Sequence, residues 1–305
     1  MSKVAFVFPG QGSQSVGMGR DLFDNSPEAR WVFEEADETV GFSLSGLCFN
    51  GPEEDLRQTL HTQPAIMMVS IACLRAVLAN GYNISPNYVA GHSLGEYTAL
   101  VAAGVLSFAD GMHLVQERAR LMQEAGEQCP GGMAAVIGLD LVSLEEVCQE
   151  TGTQIANLNS PEQIVISGTN QGLAWAMDLA KARGAKRVIR LSVSGAFHSP
   201  LMESAVEGLT KAVDQCEFSR PDVPVVANFT AEPKSTAEEV REGILRQICG
   251  CVRWQPSVEY MIDAGVSTFV EIGPGQVLTG LIKRINRDVE LVNMNSMDSI
   301  AAIQH

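Results

Sequence analysis

Apolar and polar positions alternate between two textures along the chain. A five-residue apolar run at 4–8, closed by Pro9, predicts a first strand followed by the glycine-rich turn Gly10-Gln-Gly-Ser-Gln14. Amphipathic spacing predicts helices over 27–38 and 108–125, and a strongly apolar helix over 64–79. Between them, Asn87-Tyr-Val-Ala-Gly-His-Ser-Leu-Gly-Glu96 predicts a short strand, a sharp turn and a helix over 96–106. Strands alternating with helices in this way predict a parallel sheet covered on both faces.

Near Gly126 the texture changes. Strands predicted at 133–137, 154–157, 163–167 and 187–193 enclose helices at 143–151 and 171–183. The order β-α-β-β-α-β over so short a stretch is that of a ferredoxin-like unit. The expected fold is therefore α/β: a large subdomain from residues 1–126 and 195–305 with a parallel-sheet core, and a small ferredoxin-like subdomain, 127–194, inserted into it. After the insert the βα texture resumes, with a strand at 268–272 and the turn Gly273-Pro-Gly275 before a final helix.

Composition narrows the class. With 46% apolar residues, a chain of 305 residues can bury a large core. Apolar runs such as 98–106 are too short and glycine-rich to span a bilayer, and the N-terminal run is too short for a signal peptide. The seven cysteines are scattered without a C-x-x-C pair, and Cys249-Gly-Cys251 has no partner pair at metal-site spacing. These features predict a reduced, cytoplasmic protein with no disulfide framework and no structural zinc. A net charge of −15 argues against nucleic acid as a partner. Any anionic substrate must then meet a local basic site. The candidates are Lys181, Arg183, Lys186, Arg187 and Arg190, and a second cluster of Lys283, Arg284 and Arg287.

The chemistry centres on Gly91-His-Ser-Leu-Gly95, which fits the G-x-S-x-G nucleophile elbow in the strand–turn–helix setting that gives that motif its meaning. Ser93 at the head of a helix would have backbone N–H groups and a positive dipole end beside it. A serine nucleophile needs a base within hydrogen-bond reach. Of the five histidines, His305 is the last residue, His92 points along the strand away from its neighbour Ser93, His113 lies mid-helix and His61 sits in a polar turn before Pro64. His198 remains, in the loop Ser194-Gly-Ala-Phe-His-Ser-Pro200 at the exit of the insert. No Asp or Glu stands out as the carboxylate that would orient it. Gly10-Gln-Gly-Ser-Gln-Ser15 lacks the third glycine of a dinucleotide fingerprint and the Gly-Lys-Ser/Thr of a Walker A loop. It reads better as backbone N–H groups beside the elbow. Arg118, taken alone, reads as a surface helix charge paired with Glu117 or Glu124.

Six segments occur together: Phe8-Pro-Gly-Gln-Gly-Ser-Gln14, Gly91-His-Ser-Leu-Gly95, Gln116-Glu-Arg-Ala119, Asn159-Ser-Pro161, Gly195-Ala-Phe-His198 and Glu271-Ile-Gly-Pro-Gly275. In this order, spanning about residues 4–290, the chain resembles the malonyl-CoA:acyl carrier protein transacylase family. The resemblance implies an α/β-hydrolase-like core, Ser93 as acyl-accepting nucleophile and His198 as its base. It also implies an oxyanion hole from the backbone N–H groups of Gln11 and Leu94, and Arg118 on the malonyl carboxylate. The main-chain carbonyl of Gln247 would orient His198, in place of the missing acid, and His92 would line the acyl pocket. Phe197 resembles the malonyl-selecting residue of polyketide acyltransferase domains, where a larger 2-methyl group is excluded.

The implied partners are malonyl-CoA and the phosphopantetheine arm of an acyl carrier protein, with no metal or redox cofactor and no membrane. One or both of the two basic clusters are expected to guide docking of these polyanions, with Lys181 and Arg183 the first to test by charge reversal. Because the chain starts just before its first motif strand and ends soon after the last, a free-standing enzyme is expected. Two other readings stay open: a serine hydrolase or thioesterase on the same core, and a non-catalytic carrier-protein or nucleotide-binding module.

Overall fold

The computed structural model describes residues 2–81 and 85–302. Ten strands form two sheets. The larger has the order β10-β9-β1-β2-β7-β8, from β1 (Lys3–Phe8), β2 (Tyr88–Gly91), β7 (Val225–Val226), β8 (Pro233–Lys234), β9 (Val266–Ile272) and β10 (Glu290–Met294). All its pairings are parallel except β7 with β8. The smaller sheet, β4-β5-β3-β6, is antiparallel and built from β3 (Gly131–Ile137), β4 (Gln154–Ser160), β5 (Gln163–Thr169) and β6 (Arg187–Arg190). Helices Leu141–Thr151 and Asn170–Ala182 complete its β-α-β-β-α-β order. The α/β class with a parallel core and a ferredoxin-like insert is thus the observed fold. The edge strand β4 is tied to the segment just before the helix Trp254–Asp263, where the Val252 N–H donates to Ala156 O at 2.8 Å and the Val252 carbonyl accepts the Leu158 N–H at 2.9 Å.

Local chemistry sets the helices that frame the site. Ser107 caps the helix Phe108–Gln128 by accepting the Asp110 N–H at 3.0 Å. Its apolar face, including Met112, Val115 and Met122, is buried. The helix Val277–Ile285 has no cap of its own. Buried Glu271, at the end of β9, instead accepts its Leu278 and Thr279 N–H groups at 3.0 and 2.7 Å, placing a carboxylate against the positive end of the helix.

Two expectations change, and two strands carried none. The apolar helix starts at Thr59, not at Pro64, and runs to Ala79. A proline in the second turn removes the N–H that would bond the Leu60 carbonyl and crowds that carbonyl, a cost offset here by the burial of the surrounding helix. This helix is long and apolar enough to cross a membrane by length and composition, but 83% of that window is buried in the protein. Its apolar character therefore serves the core. Second, the helix Val277–Ile285 is not the last element, because β10 and a short helix Met297–Ala301 follow it. The strands without an expectation are β7 and β8, which have two residues each, too short for any periodic signal.

Candidate active site

β2 ends at Gly91, and the helix Leu94–Ala102 begins two residues after His92. Ser93, between them, has φ 53° and ψ −105°, a conformation that L-residues rarely adopt. The turn closes only because its flanks are glycines. A Cβ on Gly91 would strike the Gly95 carbonyl, and one on Gly95 would strike the Phe8 carbonyl of β1. The Ser93 N–H donates to Asn228 Oδ1 at 2.7 Å, while Asn228 Nδ2 donates to Gly91 O at 2.7 Å. One amide therefore pins both sides of the strained residue.

Ser93 Oγ lies 2.8 Å from His198 Nε2, and His198 Nδ1 lies 2.9 Å from the Gln247 carbonyl. A carbonyl only accepts, so Nδ1 carries the proton and Nε2 presents its lone pair to the serine hydroxyl. Burial, then the nearby Arg118 charge, lowers the His198 pKa to about 3. The imidazole is neutral at neutral pH and able to take a proton. His198 is itself held at positive φ, 57°.

Arg118 is fully buried. Its Nη1 donates to Gln63 Oε1 at 2.5 Å, and its Nη2 donates to Gln247 Oε1 at 2.9 Å and to Ser93 Oγ at 3.2 Å. Its Nε–H has no partner among the described residues, and the guanidinium stacks 5.0 Å from the centre of the Tyr97 ring. Among the described residues no carboxylate pairs with it. The surface pairing with Glu117 and Glu124 belongs to Arg120 instead.

Ser93, His198, Arg118 and Gln63 line one cavity of about 170 Å³ between the two sheets. Gln11, Leu94, His92 and Phe197 also line it. Leu94 is the first residue of its helix, so its N–H has no intrahelical acceptor. Met133, Val165, Leu191 and Val193 supply an apolar wall from the small sheet and the segment after it.

Over residues 5–303 the chain matches the acyl transferase domain. It is 46% identical to the malonyl CoA-acyl carrier protein transacylase of Bacillus subtilis (strain 168), over 98% of this chain and 96% of that protein. The chain belongs to the malonyl-CoA:acyl carrier protein transacylase family. The transacylase of Staphylococcus aureus (strain MW2) is 41% identical, over 98% of each chain. Among solved structures, the acyl-carrier-protein-S-malonyltransferase from Bartonella henselae superposes with a TM-score of 0.96 at 42% identity, covering 99% of this chain and 98% of that one. A malonyl-transacylase solved with its type II PKS acyl-carrier protein gives 0.95 at 41% identity, again over 99% and 98%.

In this transacylase-family chain, every site residue nominated from the sequence lies at the cavity or one bond from it. Gln247 reaches it through both its carbonyl and its side chain. His92 is half-buried, with Nε2 2.8 Å from Asn159 Oδ1 and its ring in edge contact with Trp254. Burial lowers its pKa. The other histidines lie elsewhere. His61 is in the first turn of the helix Thr59–Ala79, bonded to the Asp55 carbonyl at 2.9 Å. His113 is exposed on its helix, and His305 lies outside the described residues. Asn228, Gln63 and Glu96 were not nominated. The only local signal was the pattern Ser93-Leu-Gly-Glu96, since Asn228 and Gln63 reach the site through long-range contacts.

Proposed function

We propose that this chain is a malonyl-CoA:acyl carrier protein S-malonyltransferase. It would take the malonyl group of malonyl-CoA onto Ser93 and pass it to the phosphopantetheine thiol of an acyl carrier protein, in the cytoplasm, for fatty-acid or trans-acting polyketide synthesis. The observation that carries this reading is Arg118, a buried cation with no carboxylate partner among the described residues, 3.2 Å from Ser93 Oγ. A guanidinium pairs with a carboxylate through two parallel charge-assisted bonds, so an acyl group ending in a carboxylate supplies the missing anion. The names of the relatives point the same way.

In the reaction, His198 Nε2 takes the Ser93 proton as Oγ attacks the thioester carbonyl. The backbone N–H groups of Gln11 and Leu94 receive the tetrahedral oxyanion, and the Gln247 carbonyl keeps His198 in its reactive tautomer. His198 then returns the proton to the leaving CoA thiolate, leaving a malonyl-serine ester. The carrier thiol attacks that ester by the same steps in reverse. Residues 1–126 and 195–305 would form the catalytic subdomain, with 127–194 closing the cavity and His92 lining its wall. The decisive assay mixes enzyme, malonyl-CoA and holo-carrier protein. The transferase reading expects one malonyl-carrier formed per CoA released. A serine hydrolase, which has no use for a buried cation when its acyl group is neutral, would release free acid instead.

Phe197, 4% exposed at the cavity wall, is proposed to exclude a 2-methyl group. Phe197→Ser should raise use of methylmalonyl-CoA relative to malonyl-CoA by roughly tenfold, the value of a methylene or two of pocket space. An unchanged ratio in competition assays would remove that role.

Local ion pairing bears on the docking expectation. Lys181 is paired with Asp178, and Arg183 with Glu146 and Glu150, so their charges are locally met. Lys186, Arg187 and Arg284 instead line a separate hollow of about 260 Å³ that shares Gln163 with the active cavity. We place docking of the polyanionic donor or carrier there. Arg187→Glu with Arg284→Glu should raise KM for the carrier or for malonyl-CoA several-fold at low salt, while Lys181→Glu with Arg183→Glu should change it little. The opposite ranking would refute the placement.

A further inference from the structure

Glu96 is a buried carboxylate, 2% exposed, that the reaction above does not use. It is the third residue of the helix Leu94–Ala102, three positions after Ser93. Ser-x-x-Glu at a helix start is the pattern of a capping box, in which the glutamate reaches back to the serine N–H. Neither half of the box forms here. Ser93 Oγ makes no cap bond and faces His198 and Arg118. The Ser93 N–H is taken by Asn228 Oδ1. With that local donor occupied, Glu96 turns outward, and its Oε2 accepts the Gln247 Nε2–H at 2.7 Å and the Asn228 backbone N–H at 3.2 Å.

Gln247 touches three parts of the site. Its carbonyl holds His198, its Oε1 accepts from Arg118, and its Nε2 also donates to the Ser93 carbonyl at 2.9 Å. A primary amide has two ends of nearly the same shape, one donating and one accepting. If Gln247 turned over, its NH₂ would meet the guanidinium, donor against donor. The Glu96 carboxyl accepts from the NH₂ end, as the Ser93 carbonyl does, so Glu96 anchors the orientation that turns Oε1 toward Arg118. Resting on the acyl-transfer reading above, we infer that Glu96 is a positioning residue that sets the Gln247 amide and so holds Arg118 and His198 in register for a donor carrying a carboxylate.

The environment accords with this role. Burial raises the Glu96 carboxyl to about 7, opposed by the bonds from Gln247 and Asn228 and by the Arg118 charge. A carboxylate buried beside a cation but not paired with it is costly to keep for packing alone.

The test compares wild type, Glu96→Ala and Glu96→Gln in single-turnover acylation of Ser93 by malonyl-CoA and, separately, by acetyl-CoA. Thermal melting is followed in parallel. Loss of His198 alignment should slow both donors in Glu96→Ala. Loss of Arg118 alignment should slow malonyl further, so the malonyl-to-acetyl ratio falls by roughly tenfold or more. Glu96→Gln keeps an oxygen acceptor for both donors and should restore rate and ratio to within about fivefold. If Glu96→Ala does not fold, Gln247→Ala serves instead. It keeps the main-chain carbonyl for His198 and should show the same fall in ratio. An unchanged ratio with a uniform loss of rate, or a Glu96→Gln as damaged as Glu96→Ala, overturns the inference alone. A wild-type protein that takes up no malonyl group overturns the parent reading and this inference with it.

Discussion

Arg118→Ala should cut the second-order rate of Ser93 acylation by malonyl-CoA about 10³-fold or more, while acetyl-CoA acylation stays within about tenfold of wild type. The reasoning is electrostatic. The guanidinium rests on the neutral acceptors of Gln63, Gln247 and Ser93, and its Nε–H has no partner among the described residues. On the proposed reading, a malonyl carboxylate would complete this arrangement. An acetyl group would leave the cation buried and uncompensated. Removing Arg118 therefore removes the preference together with the activity. Arg118→Lys should recover only part of the loss, because an ammonium cannot form the two parallel bonds. The check is burst kinetics with each donor, with melting curves to confirm that the variant folds. A uniform loss on both donors would show that Arg118 acts through packing alone.

His198→Ala should lower malonyl acylation by about 10³–10⁴-fold, the usual value of a positioned general base. The pH profile adds a sharper test. The base must be neutral, and its pKa is lowered to about 3. Activity owed to His198 is thus present above that value and lost only as pH falls through it. Glu96 also titrates near the site, at about 7, so the measurement belongs in the Glu96→Gln background. There, kcat/KM for malonyl-CoA should stay flat from about pH 8 down to about pH 5. A limb centred near 6.5, the range of an ordinary histidine, would contradict the depressed value. Stability follows the same sign. The unfolded chain takes up a proton that buried His198 refuses, so the folded state loses stability as pH falls below the ordinary histidine range.

Much of this geometry was legible where local sterics or a strong period dictate it. Gly91 and Gly95 flank Ser93 because a Cβ at either would strike a carbonyl, and that requirement is written into five consecutive residues. His198 could be isolated by elimination because there are only five histidines. Arg118 shows the limit. Two basic residues sit on one helix, and no local rule says that Arg118 turns inward while Arg120 collects both Glu117 and Glu124. The Gln247 carbonyl entered only through family resemblance, since any residue there has a carbonyl and only the path of the chain brings it to His198. Asn228 and Gln63 left no mark, because each reaches the site across more than fifty residues. The helix start at Thr59 was missed because Pro64 reads as a first-turn residue and instead lies in the second turn.

The most direct test of the central claim is intact-protein mass spectrometry after brief exposure to malonyl-CoA, with acetyl-CoA and Ser93→Ala in parallel. A single malonyl adduct on the wild-type chain, absent from Ser93→Ala and weak or absent with acetyl-CoA, is the result expected of a serine acyltransferase selected by Arg118. Release of CoA with no adduct, or an adduct that survives in Ser93→Ala, would contradict it.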